Sequence, residues 1–173
     1  MKRSLYLLAA PVAVAAVTAI AVVPATGTMA EPATTEHSVP PHTTHEVTDG
    51  GEIEFGPAPD VFPTGAEMAV LQGDPGAEGD LFTVRLRFPD GYVLPPHWHP
   101  TDEHVTVVSG TFLVGLGDTF DEAALLPPLE AGDFLTAPAN ANHFATVIGV
   151  SEVQVHAVGP FVLTYVNPED DPR

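Results

Sequence analysis

Gly91-Tyr92-Val93-Leu94-Pro95-Pro96-His97-Trp98-His99-Pro100-Thr101-Asp102-Glu103-His104, running on through Val105-Thr106-Val107-Val108-Ser109 to Gly110, is the stretch on which the reading of this chain turns. His97 and His99 stand two apart on an extended segment, so their imidazoles share one face. The same period of two returns Glu103 to that face and sends Asp102 and His104 to the other. Two imidazoles and a carboxylate suit a divalent first-row metal and leave room for a further ligand and for substrate.

The spacing Gly-x5-His-x-His-x3-Glu-x6-Gly resembles the first motif of the cupin family. Five fixed positions at average residue usage coincide by chance at about 10^-7 per starting point, so accident is no rival. The family's second motif, Gly-x5-Pro-x-Gly-x2-His-x3-Asn, is matched from Gly132 through Pro138 to His143. Asn140 stands where the family usually has Gly, and Val147 where it often has Asn. Asn tolerates the left-handed conformation a turn glycine would adopt, so the first departure is mild. The second leaves the metal set intact. The resemblance implies a three-His, one-Glu metal site made of His97, His99, Glu103 and His143. It also implies one all-β domain, the double-stranded β-helix or jelly-roll barrel of the cupins.

The rest of the 173 residues fits one domain preceded by something else. Lys2 and Arg3 precede an apolar run from Leu5 to Val23, and small residues follow it. This pattern predicts a secretory signal peptide over residues 1–30, cut after Ala30, with Ala25 as second choice. The product would be secreted or periplasmic. The alternative is an uncleaved membrane anchor, because the run approaches the roughly 20 residues a spanning helix needs. Residues 31–52 are rich in Pro, Thr and acid, bury little, and read as a flexible linker. His37, His42 and His45 within it read as solvated rather than as an accessory metal site, since nothing fixes their geometry.

Beyond Ala30 three arginines face 23 Asp plus Glu, a net charge of −20. That balance argues against nucleic-acid binding and against an anionic membrane surface. It leaves the leader, if uncleaved, as the one expected membrane contact. There is no cysteine, which excludes disulfides, thiolate ligands and lipid attachment at a leader cysteine.

Residues 53–167 alternate short runs rich in Val, Phe and Leu with Gly, Pro and Asp punctuation, as a sandwich or barrel does. The expected strands are Met68–Leu71, Leu81–Phe88, His104–Val108, Thr111–Leu116, Phe134–Thr136, Phe144–Ile148, Val153–Val158 and Phe161–Val166. Ser109-Gly110 reads as a tight turn between two of them, and Glu130-Ala131-Gly132-Asp133 as another. A single helical turn is expected near Asp121–Ala124, stopped by Pro127-Pro128. Residues 168–173 read as an acidic tail.

Several residues near the motifs invite a role. Gln154 and His156 share a parity opposite to Val153 and Val155, so His156 either lines the cavity as a base or lies on a wet outer face. Arg85 and Arg87 either meet an anionic substrate or bridge to surface acids. Trp98 packs outside the site. Phe112, Val114, Leu116 and Phe134 are candidates for an apolar lining.

Imidazole and carboxylate accept Fe, Mn, Ni or Zn as the divalent ion. The expectation is an exported oxidoreductase of dioxygenase type acting on a small organic molecule. The alternatives are a non-catalytic metal- or ligand-binding protein for sensing or storage, and a metal-assisted isomerase or hydrolase. Cupins commonly associate as homodimers, and an open edge strand needs covering.

Overall fold

The computed structural model describes residues 47–51 and 53–173. The predicted leader and residues 31–46 and 52 of the predicted linker lie outside them. The strands are β1 Gly56–Pro57, β2 Glu67–Gln72, β3 Leu81–Phe88, β4 Val93–Trp98, β5 Glu103–Leu116, β6 Phe134–Ala137, β7 His143–Val158 and β8 Thr164–Tyr165. Every pairing between them is antiparallel.

β7 is the spine of the barrel. Its first half pairs with β4 on one side and with the second half of β5 on the other. Its second half pairs with β3 and with the first half of β5. One strand therefore serves both walls of a curled sheet, which a flat sheet could not offer. From β3 outward the order continues through β2 to β1, while β8 closes on β4 and β6 on β5.

The alternation that makes β3 a strand also assigns its faces. Phe82, Val84, Leu86 and Phe88 are buried, whereas Arg85 and Arg87 on the alternate positions are not. The same period runs along β7, where Val153, Val155 and Ala157 go inward and Glu152, Gln154 and His156 go outward. Burying a Val, Leu or Phe side chain contributes about 1.5–3 kcal/mol, so each inward row anchors its strand against slippage by one residue.

Ser109-Gly110 is not a turn between two strands. It lies inside one continuous β5, at a pair of register shifts against β7. Gly110 has a φ of 78°, and a Cβ there would collide with Ser151 Oγ and crowd the Val150 carbonyl. The backbones of β5 and β7 approach at a bulge, which bends both strands together. Ser151, fully buried, fills the gap: its Oγ accepts the Thr111 N–H at 3.1 Å. For the same reason Phe144–Ile148 and Val153–Val158 are one bent strand rather than two.

Other expectations hold. Glu130–Asp133 forms a turn closed by the Asp133 N–H on the Glu130 carbonyl at 2.9 Å. Glu122–Ala124 is a single 3-10 turn capped by Asp121, whose side chain accepts the Ala123 N–H. The expected strand Phe161–Val166, by contrast, is not formed: the segment is mostly loop, with only Thr164–Tyr165 paired to β4. After Asn167 a second 3-10 turn, Pro168–Asp170, leads into the acidic end, where Arg173 forks onto Asp171.

Candidate metal centre

His97 sits near the end of β4 and His143 opens β7, and the two are register partners across the ladder. His99 follows just beyond β4. Glu103 reaches the same place as the first residue of β5, after the bend at Pro100–Thr101, and not by an uninterrupted period of two. All four side chains are buried: His97 is 1% exposed, His99 2%, His143 4% and Glu103 9%.

The two motifs are tied together by backbone. The Asn140 N–H donates to the His99 carbonyl at 2.8 Å, and the Ala139 N–H to Asp102 Oδ1 at 2.8 Å. Asn140 has a φ of 61°, the left-handed conformation expected at that position. Asp102, pointing away from the cavity, thus holds the loop that delivers His143.

Each imidazole is fixed by the same device. Nδ1 of His97 donates to the Pro95 carbonyl at 2.7 Å, Nδ1 of His99 to the Val162 carbonyl at 2.9 Å, and Nδ1 of His143 to the Ala141 carbonyl at 2.9 Å. A carbonyl can only accept, so Nδ1 carries the proton and Nε2 presents its lone pair. One ligand nitrogen from each of the three imidazoles lies within 4.8 Å of the others. Glu103 Oε2 is 3.7 Å from Nε2 of both His99 and His143. That separation is too long for a hydrogen bond and suits donors facing one central ion.

The electrostatics fit a cation. Burial, with His143 and His99 close by, pushes the His97 imidazole down to about 3. Burial also lowers His99, against the pull of Glu103. Burial acts to lower His143, but the Glu103 carboxylate and the Ala141 carbonyl outweigh it and leave it raised. Burial acts to raise Glu103, yet His143 and His99 hold it below its ordinary value. With His97 and His99 held neutral, the Glu103 carboxylate places a negative charge in a buried pocket, which attracts positive charge. Nε2 of His99 and of His143 are buried with no hydrogen-bond partner. Leaving a buried polar atom unsatisfied costs about 1–3 kcal/mol, a cost that coordination removes. The residues therefore fit a divalent metal.

Around the donors the walls are apolar, with Phe62, Leu86, Val105, Val114, Ala145 and Val155 among them. The cavity is tight, with a free volume of about 30 Å³. Phe112 and Val114 line the cavity as expected, and Leu116 and Phe134 do not. Leu116, the last residue of β5, is 58% exposed. Phe134 is 57% exposed and stacks on His104 outside, so its neighbour Leu135 takes the inward position.

His156 lies on the outer face, opposite in parity to the cavity-lining Val155, so the base role does not follow from its place. Gln154 Nε2 is 3.2 Å from its Nε2, and its Nδ1 donates to Thr83 Oγ1 at 2.9 Å. The valines, not the polar residues, mark the inside of β7. Arg85 bridges Glu152 at 2.8 Å and Arg87 reaches Glu152 at 3.3 Å and Glu67 at 3.5 Å, all on that outer face. Trp98 is half-buried and off the cavity. Phe62 and Phe161 reach the lining from outside both motifs, and Leu135 from an unspecified position between Gly132 and Pro138 of the second, so no spacing in the sequence announces them.

No protein-family model matches the chain, nor does any curated protein. Solved structures do. The polyketide cyclase RemF from Streptomyces resistomycificus superposes with a TM-score of 0.59 at 17% identity over 75% of this chain and 90% of that one. A putative acetylacetone dioxygenase from Methylibium petroleiphilum gives 0.57 at 23% identity over 75% and 86%. An RmlC-like cupin from Shewanella frigidimarina gives 0.50 at 20% identity over 68% and 94%. These likenesses establish the architecture.

Proposed function

We propose that this protein, whose barrel has the cupin fold, is an exported metal-dependent oxidoreductase of dioxygenase type that acts on a small organic molecule. Solved structures of this fold include a cyclase and a putative dioxygenase, so the reaction is argued from the cavity itself. The observation that carries the reading is the pair of buried, unpartnered Nε2 atoms of His99 and His143, aimed with His97 at one point beside Glu103.

His97, His99, Glu103 and His143 would hold the divalent ion, Fe, Mn, Ni or Zn. Bound there, such an ion would supply Lewis acidity and, for Fe or Mn, redox chemistry. The chain's own part is to orient and to exclude. The three Nδ1–H bonds to carbonyls fix the imidazole planes, and the Asn140–His99 contact fixes the two motifs against each other. The apolar walls keep bulk water from the reacting atoms.

The lining also favours redox over acid–base chemistry. Beyond the four donors no titratable side chain lines the cavity among the described residues. Isomerisation or hydrolysis would need a free base, and Glu103 is engaged as a donor in this reading. No Arg or Lys lines the cavity either, which favours an uncharged or singly charged substrate over a dicarboxylate. Export is part of the proposal: it is supported by Lys2, Arg3 and the apolar run from Leu5 to Val23.

The purified protein loaded in turn with Fe, Mn, Ni and Zn should consume oxygen with small phenols or monocarboxylic acids in at least one form. Turnover without oxygen uptake would point to the isomerase or hydrolase. The tightness of the cavity favours the second reading, a non-catalytic metal or ligand holder, and silence in all four forms would decide for it. N-terminal sequencing of protein recovered outside the cytoplasm should begin at Glu31.

A further inference from the structure

We infer that Phe161 and Leu135 form the gate of the cavity and set the size of what reaches the Nε2 atoms, an inference that rests on reading this cavity as the place where ligand binds. Among all the side chains lining the cavity these two alone keep partial exposure; every other lining residue is buried. The cavity wall is therefore most open to solvent beside them.

They are held differently. Leu135 sits in β6, whose register with β5 puts it opposite the cavity residue Val105. Phe161 belongs to the loop between β7 and β8. That loop is seated on residues 75–80: the Phe161 N–H donates to the Pro75 carbonyl at 2.7 Å and the Gly159 N–H to the Asp80 carbonyl at 2.8 Å. Gly159 is needed there, because a Cβ would collide with the Ala77 carbonyl oxygen.

The Phe161 ring lies nearly parallel to the His99 imidazole, centroids 4.5 Å apart at 16°, and leans on Phe82 at 5.2 Å. The next residue, Val162, supplies the carbonyl that takes the His99 Nδ1–H. One loop thus walls the cavity and orients a donor. The free space of about 30 Å³ holds roughly two waters, so an organic ligand enters only if a wall moves. Neither gate side chain has a polar group to anchor it, and each already has one side open to solvent. Rotation of Phe161 off His99 enlarges the cavity without disturbing the backbone that fixes the donors.

The test uses the full-length, metal-free chain. Diethyl pyrocarbonate modification of His99, mapped by peptide, reads access to the cavity, and His104 on the outer face is the reference. Phe161→Ala and Leu135→Ala should each speed His99 at least tenfold relative to His104, and Leu135→Trp should slow it. A variant that merely loosens the barrel can speed His99 but not slow it, so the tryptophan variant keeps the test decisive. Unchanged rates in both truncations, or a faster rate in Leu135→Trp, would overturn the gate. Cobalt(II) added to the unmodified protein, followed by visible absorption, reads the metal centre separately. Cobalt bound with unmoved rates removes the gate alone; rates moving as stated with no cobalt bound keeps the gate and removes the metal reading.

Discussion

At the residue scale the site depends on small backbone choices as much as on its donors. Asn140 is exposed, with a φ of 61°, and its N–H holds the His99 carbonyl. An ordinary side chain there pays about 1–2 kcal/mol for the left-handed conformation, which Asn partly avoids and Gly wholly avoids. Asn140→Ala should therefore lower stability by about 1 kcal/mol in a denaturant titration, whereas Asn140→Gly should leave it unchanged or slightly higher. Equal losses in both would show that the side chain, not the conformation, matters. The donors themselves were legible because His-x-His-x3-Glu and the distant His143 are fixed by spacing. His156 was not, because alternation reveals two faces without saying which is inward. Only the burial of Val153 and Val155 decides it.

The element scale turns on the shared bend of β5 and β7. Ser151 Oγ accepts the Thr111 N–H and lies within reach of the carbonyls of Thr111, Ile148 and Gly149, so it satisfies the groups that the bulge frees from the ladder. Ser151→Ala strands a buried N–H and should cost about 1–3 kcal/mol, read as a lower melting temperature. Gly110→Ala should cost more, since it adds both strain and a collision. Both variants should still bind metal if they fold, since the bend lies far along β5 from Glu103. A Ser151→Ala protein as stable as the parent would mean the bulge needs no hydroxyl. Ser109-Gly110 reads as a turn in the sequence because turn and bulge use the same residues. What separates them is the residue opposite, here about 40 positions away. Phe161 and Leu135 were hidden for a similar reason: a loop outside both motifs brings Phe161 to the lining, and Leu135 comes from a position of the second motif that its spacing leaves open.

For the whole molecule, the burial of neutral imidazoles makes stability depend on pH. Above about 6.5 the folded and unfolded chains both hold His97 and His99 neutral, so the full stability is present. As pH falls, the unfolded chain takes up protons that the fold refuses, and stability drops until His97 titrates at about 3. Glu103, held below its ordinary value, adds to the loss at the acid end, while His143, raised, offsets part of it below 6.5. Metal-free protein in high salt, which screens the repulsion of a chain with net charge −18, should melt at a clearly lower temperature at pH 5 than at pH 7.5. An unchanged melting temperature would mean that the imidazoles are not buried neutral. Metal should widen that difference by raising the melting temperature most at neutral pH, because it binds only the folded site and protons compete with it for the imidazoles at pH 5. The account as a whole stands on the ion held by His97, His99, Glu103 and His143, and elemental analysis of the natively produced protein beside its His97→Ala variant tests it most directly. The account predicts about one equivalent of a divalent first-row metal per chain in the parent and a loss of nearly all of it in the variant; a full equivalent retained by His97→Ala would contradict it.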